Sequence, residues 1–193
     1  MKYINQLDYA HIPYITRTSM EGEDWELGQK STVRSSGCGL CSSIMVADRL
    51  VPNCDFDLEA AIRLSYDAKA NERRGTDYFK YAPAFAEKFG LRFEYSEDPQ
   101  RLRECLRTGG AAVLHVCGRD GWAGTFTRNG HYIAAISEEP DGRIAILDPS
   151  YKEGKFDEPD RAGKVEMTNG VVALCSMQVL IEDGATYHLF WRK

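Results

Sequence analysis

The spacing of apolar residues divides the chain near Gly109-Gly110. Upstream, hydrophobic positions recur every three or four residues, the period of a helix that buries one face. A first helix is predicted from the Ser35-Ser36-Gly37 turn through CGLCSSIMVADRLV to Pro52, with Ile44, Val46, Ala47 and Leu50 among its apolar positions. A second begins after Asp57, a suitable N-cap, and sets Ala60, Leu64 and Ala68 on one face. A third covers roughly Tyr78 to Phe89 and stops at Gly90, with Pro83 counting against its continuity. A fourth, DPQRLRECLRT, opens on a carboxylate and a proline and ends at the double glycine.

Downstream the rhythm shortens. AAVLHVC, HYIAAISE, RIAILDP, VALCSMQVLIE and TYHLFWRK are brief runs rich in β-formers, separated by Gly, Asp and Pro turns. Glu139-Pro140-Asp141-Gly142 is a hairpin signal that joins HYIAAISE to RIAILDP. Helices first and a mostly antiparallel sheet second define an α+β fold. One domain over 1–193 accommodates this layout, its first 31 residues forming an irregular polar arm broken by Pro13 and Gly22.

Composition narrows the function classes. Hydrophobic residues at 43% and charged residues at 27% suit a packed core rather than a disordered chain. A net charge of −5, with basic residues scattered, argues against nucleic acid or an anionic membrane as partner. No apolar run reaches the length of a membrane span. The first residues, MKYINQLDYAHIPYITRT, contain no apolar signal-peptide core, so a cytoplasmic protein is expected if this is the native start. A secreted chain trimmed of its leader would read the same way. Six cysteines do not call for disulfides in a chain of this length, and Cys105 and Cys117 sit in apolar segments as ordinary buried thiols would.

Cys38 is set apart by its neighbours. Flanked by Gly37 and Gly39 where a polar run turns into a helix, its thiol would face unpaired backbone N–H groups and the positive end of the helix dipole, both of which favour the thiolate. The glycines would leave room for a substrate carbonyl to approach. The plain alternative is a glycine-rich turn that holds a buried cysteine. Cys38-Gly-Leu-Cys41 also has the spacing of a redox CxxC, although no strand precedes it, and no second ligand pair accompanies it for zinc. A nucleophilic thiolate needs a proton-transfer partner. Of the four histidines, His11 lies in the arm and His115 and His188 lie inside strands, whereas His131 follows Asn129-Gly130 at the mouth of a strand. The predicted hairpin brings Asp148, seventeen residues on, beside His131. By itself, Asp148-Pro149 reads equally as a turn that ends a strand.

Taken together, SGCGLCSSIMV and the later GHYIAAISEEPDGRIAILDPSY resemble the two signatures of the double-glycine (bacteriocin-leader) peptidase-like family of papain-like cysteine peptidases. The intervening GGAAVLHV fits the strand such proteins carry before the histidine, and the resemblance spans roughly Thr32 to Tyr151. It implies a papain-like fold, Cys38 as nucleophile, His131 as base and acid, Asp148 as the residue that orients His131, and hydrolysis through a thioester acyl-enzyme. A peptide or protein substrate follows, with no cofactor and no metal.

The chain departs from the family pattern at Leu40-Cys41, where Pro-[Thr/Ser] is usual, and at Ile44, where a small residue is usual. Six residues before the nucleophile, where many papain-like enzymes carry the oxyanion-hole glutamine, stands Thr32; Gln29 is the nearest glutamine. Thr32 and Gln29 are therefore the oxyanion candidates beside the Cys38 N–H. Trp122 and Phe126, in the loop before His131, are candidates for substrate contact. Two further readings stay open: a papain-like module that binds peptides without cleaving them, and a thiol-disulfide redox protein using Cys38 and Cys41.

Overall fold

The computed structural model describes residues 1–16, 31–72, 75–118 and 124–193. Among them are six α-helices and seven strands in an α+β arrangement. A short 3-10 helix, Gln6–Asp8, precedes α1 (Val33–Ser36), α2 (Cys38–Leu50), α3 (Leu58–Asp67) and α4 (Tyr78–Phe89). Then come β1 (Leu91–Ser96), α5 (Pro99–Arg107), β2 (Ala111–Val116), β3 (His131–Glu138) and β4 (Ile144–Leu147). The chain closes with β5 (Val165–Thr168), β6 (Val172–Cys175), α6 (Met177–Glu182) and β7 (Thr186–Arg192).

The helix limits follow from local chemistry. Asp57, Asp77 and Asp98 each accept a backbone N–H in the first turn of α3, α4 and α5. Gly90 ends α4 at φ 62°, a left-handed cap that glycine adopts without strain. Pro83 does not interrupt α4: it lies on the exposed side, where the bond it removes is the one to exposed Phe79. VALCSMQVLIE is not one strand but two elements, because Ser176 serves as the N-cap that turns β6 into α6.

The strands pair in the order β1-β7-β2-β3-β4-β6-β5, every pair antiparallel. Both faces are covered. Val113, Ala134, Ala145 and Leu147 pack with α2, α3 and α4, while Leu114, Ile133, Ile146 and Leu189 pack with α5, α6 and Phe156. Burial on both sides explains why β2 and β4 read as continuous apolar runs rather than alternating ones. Helix α2 is buried along most of its length, and its two core serines are satisfied: Ser42 donates to the Tyr132 carbonyl at 3.1 Å and Ser43 to the Leu40 carbonyl at 2.7 Å. This packing fixes the N-terminus of α2 against the start of β3. Among the described residues no helix is long and apolar enough to cross a membrane.

Candidate active site

Cys38 is the first residue of α2, with Gly37 as its N-cap. A helix leaves its first N–H groups without intrahelical partners, so the thiol is seated among backbone donors. Neither flanking glycine borders open space, which corrects the expectation of a cleared approach for substrate. A Cβ on Gly37 would stand 2.6 Å from the Val33 carbonyl oxygen, and one on Gly39 3.2 Å from Thr76 and 3.3 Å from Tyr132. Those glycines let α1, the 75–77 turn and β3 close around the helix start.

His131 is the first residue of β3, and Asp148 follows the last residue of β4. The hairpin register pairs Ala134 with Leu147, which sets the two side chains at the same end of the sheet. His131 Nε2 donates to Asp148 Oδ1 at 2.9 Å, and both residues are buried. Ser150 Oγ lies 3.1 Å from the same nitrogen and itself donates to Asp148 Oδ1 at 3.0 Å. Both partners of Nε2 thus accept, which assigns a proton to Nε2, and Cys38 lies close enough to act on the same ring through hydrogen bonding and charge.

The Asp148 carboxylate is fully engaged. Oδ1 also accepts the Ser150 N–H at 2.8 Å, and Oδ2 accepts the Lys155 ammonium. The N-terminal segment fastens the same turn: Tyr3 Oη donates to the Asp148 carbonyl at 2.8 Å, Gln6 N–H to the Pro149 carbonyl at 2.7 Å, and Asn5 Nδ2 to the Tyr151 carbonyl at 2.7 Å. Gln6 Nε2 donates to the Arg34 carbonyl in α1 at 2.7 Å. Residues 3–6 therefore tie the aspartate turn to the helix that leads into Cys38.

Electrostatics follow from these contacts. Burial opposes ionisation of Cys38, but the hydrogen bond and charge of His131, with backbone N–H groups of Tyr132 and Gly39, outweigh it and lower the thiol pKa. Burial likewise opposes a charged His131, yet Asp148 and Cys38 raise it to about 9. Asp148, buried, is held well below the carboxylate range by the Lys155 charge and the His131 hydrogen bond. Cys41 is the reverse case. Wholly buried one helical turn along, its thiol is pushed up by burial and by the Cys38 charge. A lowered thiol beside a raised imidazole favours a thiolate–imidazolium pair, the form in which a cysteine attacks a carbonyl.

The remaining candidates fare differently. Thr32 caps α1, its N–H donating to Ser35 Oγ at 3.0 Å, and all of α1 separates it from Cys38. Phe126 is not available for substrate contact: it is 1% exposed and packs edge-on to Phe156 at 5.5 Å. The Asp183 carboxylate draws the Thr125 and Phe126 N–H groups inward at 2.7 to 2.9 Å, which turns that ring into the core. Gln29 and Trp122 lie outside the described residues. Sequence reasoning missed Tyr3, Ser150 and Lys155. Ser150 carries a legible signal, since a serine two residues after an aspartate closes an Asx turn; Lys155 carries none.

Among the described residues no group of three or more His, Cys, Asp or Glu side chains is arranged to hold a metal ion. No protein-family model matches the chain, and no curated protein matches it.

Proposed function

We propose that this protein is a papain-like cysteine hydrolase that cleaves peptide or amide bonds through Cys38, similar to the double-glycine peptidase-like family. The observation that carries this reading is the 2.9 Å contact of His131 Nε2 with Asp148, in a ring that also exchanges charge and hydrogen-bonding influence with the Cys38 thiol. Mechanistically, the thiolate attacks the carbonyl carbon and the oxyanion develops beside the Cys38 N–H. The imidazolium then protonates the leaving amine, which departs and leaves a thioester on Cys38. Water, deprotonated by the now neutral His131, attacks the thioester and releases the acid with the thiolate restored. Asp148 keeps the Nε2–H tautomer throughout. The substrate class is a peptide or protein, and no cofactor takes part in these steps.

One observation favours a second reading, a module that binds peptides without cleaving them: a threonine, Thr32, stands at the position of the oxyanion glutamine, and its backbone N–H is taken up by Ser35 Oγ at the start of α1. The redox reading loses support from the burial of Cys41 and its raised thiol.

The test is incubation of the full chain with a complex peptide mixture, read by mass spectrometry against Cys38→Ala. New peptide termini that vanish in Cys38→Ala, with chloroacetamide labelling confined to Cys38, support hydrolysis. Peptides retained intact by both proteins support the binding module, and matching termini in the two proteins sink the catalytic assignment.

A further inference from the structure

The charged stretch after β4 reaches back into the site through one side chain. Lys155 is 5% exposed, and its ammonium bonds Asp148 Oδ2 and, at 2.9 Å, Ser150 Oγ. Lysine is seldom buried unless paired, because desolvating an ammonium costs several kcal/mol. This one is delivered by successive turns, Lys155 N–H to the Lys152 carbonyl at 3.0 Å and Asp157 N–H to the Gly154 carbonyl at 3.1 Å. Phe156 beside it is anchored in the core against Phe126 and Tyr151. Arg161, also buried, donates to the Lys155 carbonyl at 3.4 Å.

We propose that Lys155 is a positioning residue of the Cys38–His131–Asp148 site, offsetting the buried aspartate charge so that His131 is oriented but still able to give up its proton. The proposal rests on the hydrolase reading above. With Lys155 present, the buried charges balance: ammonium against carboxylate, imidazolium against thiolate. Without it the site carries a net negative charge, and an imidazolium held by two anions is a poor donor to a leaving amine. Ser150 completes the arrangement. Its hydroxyl donates to Asp148 Oδ1 and accepts from both Lys155 and His131, so the three side chains share one hydrogen-bonded unit. The other titratable groups near His131 are Cys38 from α2, His115 from β2, and Tyr3 and Tyr151 beside the Asp148 turn. Lys155 adds a cation to this set, and its charge is the strongest single influence that lowers Asp148.

The experiment follows the His131 imidazole by NMR through a pH titration of the full chain, with chloroacetamide alkylation of Cys38 run in parallel. Lys155→Met is expected to raise the His131 midpoint by roughly one unit, the scale of a charge removed at close range. In an Asp148→Asn background the midpoint is expected to start lower, and the same substitution to raise it again. If Lys155→Met does not fold, Lys155→Gln keeps a donor to Oδ2 without the charge and carries the same comparison. A lysine that only staples the 150–163 stretch would lower the melting temperature and leave the midpoint in place. That result overturns the proposal. Failure of the hydrolase reading is seen separately, as ordinary thiol reactivity of Cys38 and a His131 midpoint that does not fall in Cys38→Ala.

Discussion

His131 Nε2 stands 2.9 Å from Asp148 Oδ1 at adjoining ends of two paired strands, with both residues almost wholly withdrawn from water. A buried carboxylate survives ionised only where donors surround it, and here His131, Ser150 and Lys155 do so. Asp148→Asn keeps an oxygen for Nε2 but strands the Lys155 ammonium. Breaking a buried pair from one side typically costs about 3–5 kcal/mol, so urea unfolding at neutral pH should show a loss of that size. Adding Lys155→Met to Asp148→Asn should recover part of it, because the stranded charge is then gone.

The thiolate–imidazolium pair predicts a pH signature. His131 is raised to about 9 from an ordinary 6.5, so its stabilising contribution is full below about 6.5 and is lost as pH rises through about 9. Cys38 is lowered, so its contribution is present above the ordinary thiol range and is lost as pH falls through its folded value. Between these limits the pair titrates as a unit. Thiolate absorbance in the ultraviolet should therefore appear at a lower pH than that of an ordinary thiol and be absent in Cys38→Ala. His131→Ala leaves burial of the thiol opposed only by the Tyr132 and Gly39 N–H groups, and Cys38 alkylation at pH 7 should fall by about tenfold, the effect of one pKa unit.

The His131–Asp148 contact was legible because a hairpin is a counting device: the EPDG turn and two short strands determine which ends meet. Lys155 was not, because it arrives on consecutive turns that have no hydrophobic period to read. Phe126 misled in the opposite direction. An aromatic residue in a Gly-rich loop reads as exposed, and only the distant Asp183 carboxylate, pulling in two backbone N–H groups, makes it core. Strands β1 and β5 escaped prediction because each forms an edge of the sheet and is largely half-exposed, so LRFEYS and VEMT carry little apolar signal.

The two glycines beside Cys38 are expected to differ in cost. At Gly37 an added methyl meets backbone, the Val33 carbonyl oxygen at 2.6 Å, and α1 has to move. At Gly39 it meets the Thr76 and Tyr132 side chains at 3.2 to 3.3 Å, which yield by a few tenths of an ångström. Gly37→Ala should destabilise by about 1–3 kcal/mol or more, as overpacking does. Gly39→Ala should unfold close to wild type yet alkylate more slowly, since a shift at Tyr132 disturbs the backbone donor to the Cys38 sulfur. Denaturant midpoints and chloroacetamide rates on the two variants separate these effects.

Acid stability should be governed by His188 on β7. Its ring is 1% exposed and boxed by Tyr78, Phe79, Phe93 and Tyr95, with no hydrogen-bond partner for Nδ1 among the described residues. Burial, reinforced by the charge of His115, lowers its pKa to about 3 from an ordinary 6.5. The folded chain therefore holds this imidazole neutral where the unfolded chain protonates it. Its contribution is intact above about 6.5 and is eroded as pH falls towards about 3. Within that window the loss approaches about 1.4 kcal/mol per pH unit. His188→Phe fits among the surrounding rings, removes the unpartnered nitrogen and removes the titration. Its urea midpoint should then fall less steeply than that of wild type between pH 7 and pH 4. Parallel declines in the two proteins would assign the acid sensitivity to another group.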